Sequence, residues 1–99
     1  MLLNRAVALA ECRSYLAALA DTAPNTESSL EYQDVLEHLD WLHTDPQPPV
    51  TPVPSENRKV VYAVALETLG RLEEYGLDPF DLALCQCMLA TAWGREHQP

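Results

Sequence analysis

The stretch Val60-Val61-Tyr62-Ala63-Val64-Ala65-Leu66 decides the fold class. Three valines and a tyrosine suit a buried strand as well as a helix. Length arbitrates, because the apolar pattern runs on through Leu69 and Leu72 before any breaker, which is too long for an ordinary strand. The spacing therefore predicts a helix over about 56–75, with Ser55 as N-cap, Glu56 in the first turn and Gly76 just past the end.

On the C-terminal side, Asp78-Pro79 opens a helix over about 79–93 as N-cap and N1, the position where proline replaces an N–H that has no partner anyway. Its interior is apolar almost all round, with Asp81, Gln86 and Thr91 as the polar exceptions. Such a helix is either central in its domain or shared with a partner, and a chain of 99 residues encloses few helices on all sides. Phe80, Leu84, Met88 and Trp93 are the candidate contacts of a homodimer. A short tail, 95–99, is expected to fray, His97 with it.

On the N-terminal side stands Pro46-Gln47-Pro48-Pro49-Val50-Thr51-Pro52-Val53-Pro54. Five prolines in nine residues cannot continue a helix, so the linker over 44–54 should be extended. Nine such residues span about 28 Å, enough to run the length of a bundle. Pro49-x-x-Pro52 also fits a ligand for an aromatic groove, but a connector is the simpler reading. Before it, Tyr32, Val35, Leu36, Leu39 and Leu42 mark a helix over about 27–43, capped by Asn25 or Thr26 and ended by Asp45-Pro46. The first helix, about 2–21, carries Leu2, Leu9 and Leu16 at intervals of seven, with Ala6, Cys12, Leu19 and Ala20 on the same stripe. The expectation is a single all-α domain over 1–99, a four-helix bundle of two hairpins joined by a proline crossover.

Charge excludes several functions. A formal net charge of −9 disfavours direct nucleic-acid binding, which requires Lys and Arg against phosphate, and disfavours an anionic membrane surface. No run is long and apolar enough to span a membrane, and Ala18-Leu19-Ala20 lacks the apolar h-region of a signal peptide. Three cysteines, an odd number, fit a reducing compartment, so a cytoplasmic protein is expected. One lysine against five arginines resembles the coding bias of GC-rich bacteria.

Catalytic signatures are missing. Three isolated glycines make neither a phosphate loop nor a dinucleotide fingerprint, and no nucleophile elbow occurs. Cys85 and Cys87 lie about 200° apart on one helix, wrong for a shared metal or a C-x-x-C couple, and read as buried small hydrophobes. Asp40-x-x-His43 and Asp34/His38 each pair a carboxylate with an imidazole, but one copy is too little for a di-metal bundle. No enzyme activity, cofactor or metal is expected.

The imbalance of charge is local. Between Arg13 and Arg58 lie eight acids and no Lys or Arg, while the rest of the chain is nearly balanced. Glu27, Glu31 and Asp34 share one face of the second helix, with Glu37 and Asp40 beside it and Trp41 off its apolar stripe. Like charges at i and i+4 cost a helix about 0.2–0.5 kcal/mol each. Three readings account for this: a solvated face, neutralisation by Arg58, Lys59 or Arg71, or docking on a basic protein surface. The expected function is a small non-enzymatic adaptor or inhibitor that docks Glu27, Glu31, Asp34, Glu37, Asp40 and Trp41 on such a surface, including one that otherwise holds nucleic acid. The alternative is a homodimeric accessory subunit.

Overall fold

The computed structural model describes residues 2–43 and 48–98, with side chains from residue 5 onward. The first part of the expected linker, 44–47 with Asp45-Pro46, and the side chains of residues 2–4, Leu2 among them, lie outside the described residues. Among the described residues four α-helices form: α1 (Leu2–Asp21), α2 (Thr26–Trp41), α3 (Arg58–Arg71) and α4 (Pro79–Glu96). A 3-10 turn, Leu72–Tyr75, follows α3, and there is no strand among the described residues. The valine-rich stretch is thus helical. Val61, Ala65 and Leu69 are buried at steps of four, and Val60 is turned out to solvent.

The helices pack as a square in section. α1 lies against α2 and α3, and α4 lies against the same two, so that α1 and α4 occupy one diagonal. Leu9, Cys12, Leu16 and Leu19 of α1 meet Tyr32, Val35 and Leu39 of α2, the α3 set above, and Leu82, Cys85, Leu89 and Ala92 of α4 in one core. Burying each large apolar side chain contributes about 1.5–3 kcal/mol.

Caps set the helix ends. The Asn25 side chain accepts from the Ser28 N–H at 2.8 Å, and Asp78 accepts from the Phe80 N–H at 2.8 Å. Gly76 takes φ 104°, the left-handed conformation that favours glycine, and Leu77 N–H closes the end on the Leu72 carbonyl at 3.0 Å. Four expectations need correction. Asn57, not Ser55, caps α3, accepting from the Lys59 N–H at 3.0 Å, and the Ser55 hydroxyl accepts from Asn57 N–H instead. Ala6 is exposed, because the stripe of α1 turns to Ala8 and Leu9. α2 ends at Trp41, where His43 leaves the helix and its Nδ1–H bonds the Leu39 carbonyl at 2.8 Å. α4 continues past Gly94 to Glu96, whose side chain is anchored in the bundle.

Residues 48–54 lie along α1. Arg13 donates to the Pro48 carbonyl, Thr51 N–H donates to the Ser14 hydroxyl at 3.0 Å, and Val53 packs on the core. Pro49 and Pro52 are exposed.

Candidate functional site: the outer face of α2

α2 buries Tyr32, Val35 and Leu39 and turns the opposite side to solvent. Glu27, Leu30, Asp34, Glu37 and Trp41 are all exposed, at steps of 3, 4, 3 and 4, so they form one line along the helix. Trp41 is 77% exposed and Leu30 53%, which brackets Asp34 and Glu37 between two large apolar groups. The Trp41 indole stacks on His38, with ring centroids 6.0 Å apart. The indole is not covered by the described part of the proline segment. Leu30 is the member of this face that the sequence reading lacked. Its signal was present in the heptad-like spacing to Glu27, Asp34, Glu37 and Trp41.

The other two acids turn away. Asp40 takes both arms of the Arg13 guanidinium, at 2.8 Å from Nε and 3.1 Å from Nη2. Glu31 meets Arg95 at 3.3 Å. The six residues expected as one surface therefore divide into an exposed set, Glu27, Asp34, Glu37 and Trp41, and a set that ties α2 to α1 and α4.

Of the cations that one of the three readings offered as relief for α2, two pair with other acids. Arg58 pairs with Glu96, and Arg71 pairs with Glu67 one turn earlier at 2.5 Å. Lys59 is exposed. The Arg58–Glu96 pair is the centre of a polar cluster that joins all four helices. Arg58 Nε donates to Glu96 Oε2 at 2.8 Å, and Arg58 also reaches the Leu19 carbonyl and the Thr22 hydroxyl of the α1 end. Tyr32 Oη donates to Glu96 Oε1 at 2.6 Å. Burial opposes ionisation of Glu96, but hydrogen bonds from Arg58 and Tyr32 prevail and hold its carboxyl below the usual range. Burial, then the hydrogen bond to Glu96, pushes the Tyr32 phenol up, and the same carboxylate raises Arg58 further.

The thiols and imidazoles divide between core and surface. Cys12 and Cys85 are buried, which pushes them up to about 12 and about 11. Cys87, expected to be buried, is exposed, since two residues from Cys85 it faces the opposite way. His43 is buried, and His38 Nε2 is buried with no hydrogen-bond partner among the described residues. Among the described residues no group of three His, Cys, Asp or Glu side chains could hold a metal ion. No helix among them is long and apolar enough to cross a membrane. His97, expected to fray, closes α4 with Nδ1 on the Trp93 carbonyl at 2.8 Å.

The candidate dimer residues also divide. Phe80 is 78% exposed and Leu84 is exposed, whereas Met88 is half-buried against the core. Trp93 is stacked on Tyr62, with centroids 4.3 Å apart and planes 6° from parallel.

No protein-family model, curated protein or solved structure matches this chain.

Proposed function

We propose that the chain is a non-enzymatic interaction protein, an adaptor or inhibitor, that docks the outer face of α2 on a basic surface of a partner protein. Such surfaces include those that otherwise hold nucleic acid, and there the acidic line acts as a mimic of phosphate. One observation carries the reading: a largely exposed tryptophan in line with three exposed carboxylates and an exposed leucine. Tryptophan is a frequent interface anchor, and a rim of one charge sets orientation and association rate. The solvated-face reading accounts for the carboxylates but not for Leu30 and Trp41 beside them. In this reading the protein works in the cytoplasm, and its bundle is two hairpins, α1–α2 and α3–α4, joined by the proline crossover.

Affinity capture from a lysate of the source organism tests the proposal. Immobilised wild-type chain should retain a basic protein that Asp34→Lys/Glu37→Lys loses and Glu73→Lys/Glu74→Lys keeps. Glu73 and Glu74 are exposed acids away from α2, so both variants change net charge equally. Equal loss in both would make the attraction one of net charge and sink the α2 site.

A further inference from the structure

α4 carries two stripes. Leu82, Cys85, Leu89 and Ala92 face the core. On the other side Phe80, Leu84, Cys87, Thr91 and Gly94 are exposed, at steps of 4, 3, 4 and 3. This is the repeat of a seam between two helices, and from Phe80 to Gly94 it extends for about 21 Å. Between Phe80 and Gly94 the one charged residue is Asp81, on a chain of net charge −9. A second copy meets less like charge here than at the acids of α2.

We propose that this face docks a second copy of the chain, α4 against α4 in antiparallel orientation, with Cys87 near the two-fold axis. The proposal is independent of the α2 reading, since it uses a different helix. Charge complementarity fixes the direction. Asp81 and Arg95 sit on the same flank of the seam, fourteen residues apart, one at each end. Antiparallel pairing sets each Asp81 beside the partner's Arg95. Parallel pairing would set like ends together and leave each Asp81 a helix length from the partner's Arg95. The Arg95 side chain is 59% exposed, and its ion pair with Glu31 runs through Nη1, which leaves other guanidinium donors for a second carboxylate.

Side-chain size agrees with that direction. A Cβ added at Gly94 would meet nothing within 4 Å, so the chain's own packing does not require glycine there. Glycine inside a helix is otherwise unfavourable. Antiparallel pairing brings the partner's Phe80, the most exposed large apolar side chain, toward the Gly94 end. Cys87 stands at the middle of α4, so the two copies of this thiol approach each other.

Light scattering of the full chain at tens of micromolar should give twice the chain mass. Gly94→Leu should weaken association by about tenfold or more while the far-UV helix signal is unchanged, because the new side chain points into open space in the single chain. A short bis-maleimide should link Cys87 to Cys87 in the wild type. In a Cys87→Ser background, Ala83→Cys chains should link to Thr91→Cys chains and not to themselves. A monomeric mass across this range overturns the proposal, as does a dimer that Gly94→Leu leaves intact. Linking of Ala83→Cys chains to one another overturns the antiparallel direction.

Discussion

Tyr32 of α2 and Glu96 of α4 are joined by a hydrogen bond of 2.6 Å, and the same carboxylate takes both arms of Arg58 from α3. The acceptor lies two residues beyond Gly94, where α4 would otherwise end, and its side chain is 4% exposed. Removing its charge leaves Arg58 without its counter-ion in a partly buried place. Glu96→Gln should therefore destabilise by about 2 kcal/mol and Tyr32→Phe by about 1.5 kcal/mol. In a double-mutant cycle by urea unfolding the two should fall short of additivity, since both act on one carboxylate.

Stability should decline at both ends of the pH scale for reasons found in this cluster. Glu96 is held below its unfolded value, so its contribution is complete above about pH 4.5 and is lost as pH falls through the lowered folded value. The Tyr32 phenol is raised, so its contribution is complete below about pH 10 and is lost as pH rises toward the folded value. Urea midpoints should fall below about pH 4.5 and above about pH 9, where Cys12 and Cys85, also raised by burial, begin the alkaline decline that Tyr32 then joins. Tyr32→Phe should reduce the alkaline decline.

Cysteine reactivity should separate core from surface. Burial raises Cys12 to about 12 and Cys85 to about 11, so neither thiolate forms at neutral pH, whereas Cys87 is exposed. An aromatic disulfide reagent at pH 8 should titrate one thiol rapidly in the native chain diluted to a monomer and all three after unfolding. Three rapid thiols would mean that the core is open.

The fold class was legible because the Val60–Leu72 pattern outlasts a strand, and the ends at Asn25, Gly76 and Asp78 carry their own chemistry. The division of the α2 acids was not. Whether Glu31 and Asp40 point outward depends on Arg95 and Arg13, which are 64 and 27 residues away in the chain. No local spacing carries that information. The same holds for Glu96, which reads as a tail residue until Arg58 and Tyr32 are folded around it. Cys87 differs for a simpler reason: a small apolar residue reads as an inside residue by type, yet much of any protein surface is apolar.

Gly70 offers a stabilising substitution. It lies in the last turn of α3, and a Cβ there would stand 4.0 Å from Gln86 Nε2, an ordinary contact with a flexible side chain. Gly70→Ala should stabilise the protein by about 0.5–1 kcal/mol, read as a higher urea midpoint with an unchanged slope.

Titration of the captured partner against salt tests the α2 docking surface most directly. Between 50 and 500 mM sodium chloride its affinity for the wild-type chain should fall by about tenfold or more, because attraction between exposed charges is screened within about 8–10 Å at moderate salt. Asp34→Lys/Glu37→Lys should flatten that dependence. Affinity that stays constant across the series for the wild-type chain would contradict the account.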